Sequence, residues 1–378
     1  MPSLYVHIPF CQRKCIYCDF YSIETVSLME SFLDALCTEI ALSAQTARGV
    51  VFDTLFFGGG TPSLLAPGQL ARVMEALHAA FAIDPGAEIT LETNPGTVNA
   101  EKLSAFRSLG VNRLSIGIQS FDEDELRFLG RIHNGPEAAG CVADARAAGF
   151  MNVSVDLIYS LPSQTRASWD ATLSRALALG PDHVSAYSLI VEDDTPLARM
   201  VASRLVSPNP LEAEASLYEH TMAVMERAGF EHYEVSNYAR PGFRSRHNSA
   251  YWSHEGYLGF GPSAHSFWRT GPGSPPLRWG NAPALNRYCE ALRNGELPVE
   301  MREEVTREQL CNERIFLGLR SSGVDLRTLE REFNLPADRL ALARALEGEG
   351  SAVLDGGTLR LTDRGYMLCD EIAARMMI

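Results

Sequence analysis

The sequence predicts an α/β protein built on a partial, three-quarter β/α barrel, followed by an α+β extension and a small helical module closed by a hairpin. Three observations predict it. Apolar runs of strand length alternate six times with stretches of helical periodicity, as in βαβ units. Polar and glycine-rich clusters sit just after the strands, where the loops of a β/α barrel assemble an active site. Six units fall short of the eight that close a barrel, so the sheet should curve and stay open on one side; a flat doubly wound sheet is the alternative.

The elements follow in order. Residues 4–8 read as a short buried strand that Pro9 ends. Residues 27–47 carry Phe32, Leu33, Leu36, Ile40 and Leu42 at helical spacing. Strands are expected at 51–57, 88–92, 113–118, 153–158 and 183–190, with helices at 70–81, 100–109, 136–148 and 168–179 between them. After residue 190 the alternation stops. A long helix is expected at 211–228, then a segment dense in histidine, aromatics and glycine from Arg246 to Trp268, and a loop at 271–276. From residue 301 the pattern is three helices and a hairpin turning at Asp355-Gly356-Gly357. The expected division is 1–190 for the partial barrel, 191–300 for the α+β extension and 301–378 for a winged-helix-like module.

The net charge is −14, with 46% apolar and 21% charged residues, an ordinary globular composition. That charge argues against nucleic acid or an anionic membrane as a partner. Residues 301–378 repeat the point, with 11 arginines, no lysine and 14 acidic residues, so packing or partner docking is preferred there to DNA binding. No uninterrupted run of about 18 apolar residues is present, and the first strand begins without a basic and apolar leader. Neither a membrane span nor a signal peptide is expected; with reduced thiols this points to the cytoplasm, and to membrane contact only through partners.

The chemistry begins directly after the first strand. Cys11, Cys15 and Cys18 stand at C-x3-C-x2-C spacing. Three thiolates so placed can hold three irons of a 4Fe–4S cubane and leave the fourth iron open to an exchangeable ligand. Structural zinc is a rival reading, but zinc sites pair two C-x2-4-C halves and no second half follows. Disulfides are another, but a 378-residue chain has little need of staples, and Cys37, Cys141, Cys289, Cys311 and Cys369 sit singly in apolar or helical contexts. Gly58-Gly59-Gly60-Thr61-Pro62 follows the second strand, where bare backbone can approach a ligand; alone, a tight turn would use the same residues.

Together these stretches resemble the oxygen-independent coproporphyrinogen III oxidase family of radical S-adenosylmethionine (SAM) proteins. The resemblance is carried by Tyr5–Phe20, Gly58–Ser63, Glu92-Thr93-Asn94-Pro95, Ser115–Phe121, Arg131 and Asp156–Pro162. It implies a partial barrel of the radical SAM type and SAM bound to the open iron through its amino and carboxylate groups. It also implies one-electron cleavage of the sulfonium C–S bond, fed by an electron donor such as flavodoxin or ferredoxin. Carried over by position, Cys11, Cys15 and Cys18 ligate iron. Gly59, Gly60 and Thr61 meet the methionyl end of SAM. Glu92 and Asp156 accept from its hydroxyl or amino groups, and Arg131 pairs with its carboxylate. Tyr5, Tyr17 and Gln119 complete the wall. The plainer readings are helix caps for Glu92 and Asp156, a surface ion pair for Arg131 and packing for the tyrosines.

Two departures divide the family. The oxidase continues its cluster motif with a fourth cysteine where Phe20 stands here, and it carries an N-terminal arm before the first strand. Both point to the HemW-like branch, which resembles heme chaperones that deliver heme to an acceptor protein. His247-Asn248-Ser249-Ala250-Tyr251-Trp252 fits the H-N-x-x-Y-W motif of that branch and offers His247 as a heme contact, the plainer reading being a hydrogen-bonded structural histidine in an aromatic cluster; His254 and His265 lie nearby as further candidates. The alternatives are the oxidase itself, decarboxylating two porphyrinogen propionates, and a radical SAM methyltransferase that opens heme.

Overall fold

The structure is a computed structural model and describes residues 2–269, 271 and 274–378. Of the expected loop at 271–276, Pro272 and Gly273 lie outside the described residues.

The strands are β1 (Ser3–Ile8), β2 (Val51–Gly59), β3 (Ala82–Thr93), β4 (Arg113–Gln119), β5 (Val153–Tyr159) and β6 (His183–Ser188), then β7 (Glu231–Glu234), β8 (Asn237–Ala239), β9 (Tyr257–Phe260), β10 (His265–Trp268), β11 (Leu277–Asn281) and β12 (Val299–Glu304). All twelve join one sheet in the order β12-β11-β10-β9-β1-β2-β3-β4-β5-β6-β8-β7. The first six lie in sequential order and pair in parallel, with a helix crossing between each pair. A doubly wound sheet would reverse its strand order at a switch point. None of these six does so, which makes this the partial β/α barrel.

The sheet does not stop at residue 190. The β7–β8 hairpin adds antiparallel to β6, and β9 pairs in parallel with the free edge of β1. A meander of β10, β11 and β12 then continues from β9. Both edges of the six-stranded array are thus covered by chain from residues 231–304, and the edges of the sheet move out to β12 and β7.

Strand parity sorts the side chains. Leu4, Val6 and Ile8 of β1, Leu55 and Phe57 of β2, Leu91 of β3, Leu114 and Ile116 of β4, Val155 and Leu157 of β5, and Val184 and Ala186 of β6 belong to one buried core with the helices. The helix Met29–Ser43 supplies Phe32, Leu33, Leu36 and Ile40 to it at 3.6-residue spacing. Each fully buried Leu, Phe or Val contributes about 1.5–3 kcal/mol. The residues between them, on the opposite face, are mostly polar or aromatic and point into a cavity.

Residues 305–378 carry helices Arg307–Leu319, Leu326–Phe333 and Ala337–Gly348, then the hairpin of β14 (Ala352–Asp355) and β15 (Thr358–Leu361). A two-residue strand, β13 (Val324–Asp325), pairs on the other side of β15. Gly356 and Gly357 hold the hairpin turn at φ of 58° and 98°, as two positive-φ central residues of a type I′ turn require. Among the described residues no helix is long and apolar enough to cross a membrane.

Candidate functional site

A cavity of about 1260 Å³ opens at the carboxyl ends of the parallel strands. It exceeds the ~300–1000 Å³ of a typical single-ligand pocket.

One end is the cysteine loop. Its neck is fastened by Cys11 N–H to Ile23 O (2.9 Å) and Ile23 N–H to Pro9 O (2.8 Å), so the loop leaves β1 and returns to the same place. Cys11 is buried, Cys15 and Cys18 are half-buried, and all three thiols are free and line the cavity. Donors already face the sulfurs. Thr61 Oγ1 lies 3.6 Å from Cys11 Sγ, and Arg131 Nη1 lies 3.4 Å from Cys15 Sγ. Arg131 is held there through Nη2, which donates to Asn94 Oδ1 (2.6 Å) and Gly117 O (2.7 Å). Asn94 Nδ2 in turn donates to Thr61 Oγ1 at 2.9 Å. Burial pushes the Cys11 thiol up and the Cys18 thiol up to about 11, so cationic iron is what would hold these sulfurs as thiolates at neutral pH. Among the described residues no three Cys, His, Asp or Glu side chains are gathered tightly enough for a single metal ion. A cubane takes each thiolate at a different iron, so its ligands stand farther apart than those of one ion. Three free thiols on one loop, with donors aimed at two of them, fit that group.

Behind the loop lies the glycine turn. Gly59 sits at φ +105°, and a Cβ there would fall 2.5 Å from the His7 ring. A Cβ on Gly60 would fall 2.7 Å from Phe10 O and 2.9 Å from Ile8 O. Only bare backbone fits where β2 passes the cysteine loop.

Glu92 and Asp156, from β3 and β5, share the inward parity and line the cavity floor. The helices after their strands take their caps elsewhere, from Asn99 and Thr165, so neither carboxyl is a helix cap. Glu92 Oε2 accepts from Gly59 N–H at 3.2 Å. Burial, and secondarily the Asp156 charge, push its carboxyl up to about 8. Asp156 accepts from the Ser115 hydroxyl at 3.0 Å on both oxygens; burial raises it too, against these hydrogen bonds. The Arg113 guanidinium, almost fully buried, favours the charged form of both carboxyls. Gln119 ends β4 at φ 69°, beside an irregularity in the β4–β5 register, which turns its side chain into the cavity. Tyr5 and Tyr17 are wall residues, and burial raises both phenols, so they remain neutral donors.

Twelve of the thirteen expected site residues therefore border one cavity: Tyr5, Cys11, Cys15, Tyr17, Cys18, Gly59, Gly60, Thr61, Glu92, Gln119, Arg131 and Asp156. His247 does not. Its ring is 1% exposed and stacks on Phe56 with centroids 4.8 Å apart. Nδ1 lies 2.8 Å from Thr54 Oγ1, and Nε2 lies 3.1 Å from the Tyr251 hydroxyl. Its backbone N–H donates to Glu88 Oε1 at 3.0 Å, and burial pushes its pKa down to about 3. This corrects the expectation of a heme contact: the ring is a neutral, fully hydrogen-bonded core group with no nitrogen free for iron. Its motif neighbours Asn248 and Tyr251 do reach the cavity.

Sequence reasoning passed over several lining residues. Arg113, Ser185 and Tyr187 are polar positions of inward parity in otherwise apolar strands, a signal present in the sequence. The outer wall comes from Tyr257, Phe267 and Arg278 beside the two histidines already named as candidates, His254 and His265, with Glu313, Phe316 and Leu317 from the helix Arg307–Leu319. That helix buries Cys311, Ile315, Gly318 and Leu319 on one face, which leaves Phe316 on another with no core to explain it. Phe20 and Ile190, 67% and 64% exposed, stand among the lining residues as uncovered apolar surface.

A sequential parallel array with a three-thiol loop at its strand ends defines a radical SAM protein. Residues 5–176 match the radical SAM superfamily, and residues 305–368 match the HemN C-terminal domain. Heme chaperone HemW of Bacillus subtilis is 35% identical over 378 residues, covering 98% of each chain. Heme chaperone HemW of Synechocystis is 37% identical over 331 residues, covering 85% of this chain and 78% of that one. The chain belongs to the HemW family within that superfamily. A solved structure of coproporphyrinogen III oxidase (HemN) from Escherichia coli superposes with a TM-score of 0.84 at 26% identity, covering 100% of this chain and 90% of that one.

Proposed function

We propose that this protein binds heme in the cavity and hands it to an acceptor protein, with a 4Fe–4S cluster on Cys11, Cys15 and Cys18 and exchangeable SAM at the cluster's open iron. The observation that carries the reading is the cavity: about 1260 Å³, with thiols and a polar glycine turn at one end and an aromatic, histidine-bearing wall at the other. That is more space than one ligand takes, and the two ends suit two ligands of different chemistry.

At the inner end a cluster with SAM bound supplies one-electron chemistry at the sulfonium. The chain's own groups orient it. Arg131, anchored by Asn94 and Gly117, offers a cationic fork to a carboxylate. Gly59 and Gly60 border the cavity where the methionyl end would lie, and Thr61 Oγ1 faces Cys11. Glu92 and Asp156 accept from amino or hydroxyl groups, and Tyr5, Tyr17 and Gln119 exclude water around them. At the outer end Tyr257, Phe267 and Phe316 offer flat apolar surface to a macrocycle. An electron donor such as flavodoxin or ferredoxin would serve the cluster, and the cytoplasm is the setting such partners and free thiols suit.

A second reading, oxidative decarboxylation of coproporphyrinogen III, draws on the likeness to the Escherichia coli enzyme. Phe20 stands against it, as an exposed phenyl where that motif continues with a fourth cysteine. Anaerobic incubation with SAM, a reductant and coproporphyrinogen III should leave the substrate unchanged; protoporphyrinogen IX as product would establish the second reading. Heme titrated into the reconstituted protein should give a stoichiometric Soret band, and that heme should move to apomyoglobin on mixing. Absence of any heme-dependent band would end the chaperone reading.

A further inference from the structure

Three histidines border the cavity: His7, His254 and His265. His7 is spent on structure. Its Nδ1 lies 3.2 Å from the Tyr5 hydroxyl and its Nε2 2.8 Å from Tyr21 O. His254 has Nε2 2.9 Å from Glu313 Oε2 and its ring stacked 4.5 Å from that of Phe267; its Nδ1 has no hydrogen-bond partner but is buried, closed to an incoming ligand. His265 differs from both. Its side chain is exposed to the cavity, and among the described residues neither ring nitrogen has a hydrogen-bond or ion-pair partner.

The backbone makes room for this ring. His265 opens β10, directly after the tight Gly261-Pro262-Ser263-Ala264 turn, in which Gly261 and Ser263 hold φ of 100° and 63°. The turn is pinned by Ala264 N–H to Gly261 O (3.2 Å) and Asn281 N–H to Ala264 O (2.9 Å). Across the strand pair the partner of His265 is Gly280. A Cβ on Gly280 would lie 2.9 Å from the imidazole Cε1 and 3.1 Å from Nδ1. The ring therefore lies over a patch of bare backbone that any larger residue would close. Of the oxygen donors on this wall, the Tyr257 hydroxyl is raised by burial and stays a neutral phenol, a poor ligand for ferric iron, and the Glu313 carboxylate is already taken by His254 and Arg278.

We infer that His265 is the axial ligand to the iron of a heme held in the outer half of the cavity, seated over Gly280 between the aromatic walls of β9, β10 and the helix Arg307–Leu319. The inference rests on the heme-binding reading above and replaces His247 as the ligand. A neutral imidazole with a free ring nitrogen is the ordinary protein donor to heme iron. The second nitrogen, free of protein partners, is left to solvent, which suits a ligand that must later release its heme rather than one locked by a carboxylate.

The test is heme titration of the full-length, anaerobically reconstituted protein and its His265→Ala, His254→Ala and Gly280→Val variants. The readouts are the Soret position, electron paramagnetic resonance of the ferric form and the dissociation constant. In His265→Ala the imidazole signature should vanish, affinity should fall at least about tenfold, and added imidazole should restore the signature. Gly280→Val keeps the histidine but displaces its ring, and should weaken binding in the same direction. His254→Ala should leave the axial signature intact. Wild type that binds heme with a signature unchanged in a folded His265→Ala overturns the assignment while the chaperone reading stands. Wild type that binds no heme overturns both. Circular dichroism and iron content of each variant separate ligand loss from misfolding.

Discussion

Glu92 is expected to couple SAM binding, as proposed above, to pH. Its carboxyl is buried, takes one hydrogen bond from Gly59 N–H at 3.2 Å and stands near Asp156; burial first and that charge second raise it to about 8. At pH 7 only about a tenth of it is ionised, and at pH 9 about nine tenths. If SAM is held by the carboxylate form, its apparent affinity at pH 7 should be about tenfold weaker than at pH 9, or about 1.4 kcal/mol. In the free protein the same group works the other way. A folded pKa raised from 4.5 to about 8 contributes stability that is complete below about 4.5 and lost as pH rises through about 8. Calorimetric titration of the reconstituted protein with SAM at pH 7, 8 and 9 reads the slope. An α-amine titrates in the same range, at about 7.7–8.0, so the decisive quantity is the difference between wild type and Glu92→Gln. Wild type should show the extra tenfold dependence and the variant should not. Equal slopes in the two proteins would refute the reasoning.

Other consequences follow from the same geometry. Gly60→Ala places a Cβ against two backbone carbonyls, and should lower stability by about 1–3 kcal/mol while reducing iron incorporation, read by thermal unfolding and iron content. Glu39 is buried and accepts from Gly261 N–H (2.8 Å), Asn281 Nδ2 (2.6 Å) and the Tyr288 hydroxyl (2.5 Å), joining the first helix to the meander; burial raises it to about 7. Its contribution to stability is complete below about 4.5 and lost as pH climbs through about 7, so the urea unfolding free energy should fall by about 3 kcal/mol between pH 4.5 and 8 through this group, and Glu39→Gln should flatten that slope. His247→Ala leaves Thr54 and Tyr251 without a partner and a hole beside Phe56. It should cost about 2–4 kcal/mol of stability and leave the heme axial signature unchanged; loss of the signature in a folded variant would restore His247 as the ligand.

Much of the inner site was legible because strand parity and loop position are local facts. Cys11, Cys15 and Cys18 follow a strand that Pro9 ends, and Glu92 and Asp156 put a charge into strands, one near its end and one in its middle, so each could be placed on the fold before any contact was known. The parallel order of the first six strands followed from their alternation with helices. What failed depended on distant chain. That β9 returns to pair with β1 is set by packing over some 250 residues, and no short-range pattern announces it. His247 could be read from its motif as a heme contact or as a structural histidine, and the motif alone does not choose between them. Its burial comes from Phe56, Thr54 and Glu88, all on strands far upstream. The same pairing of β10 with β11 that sets Gly280 under His265 is tertiary, and a glycine opposite a histidine cannot be read from sequence order. The helix Arg307–Leu319 reaches the cavity for a like reason: its second face is visible in the sequence, but what it faces is not.

Everything proposed for the inner site depends on Cys11, Cys15 and Cys18 holding a cubane with one iron left for SAM. Mössbauer spectroscopy of protein reconstituted anaerobically with ⁵⁷Fe tests it most directly. The spectrum should be that of a 4Fe–4S cluster in which SAM shifts a single iron site, and it should be lost in a Cys15→Ser variant. A spectrum with no cubane, or a cubane whose irons do not respond to SAM, would contradict it.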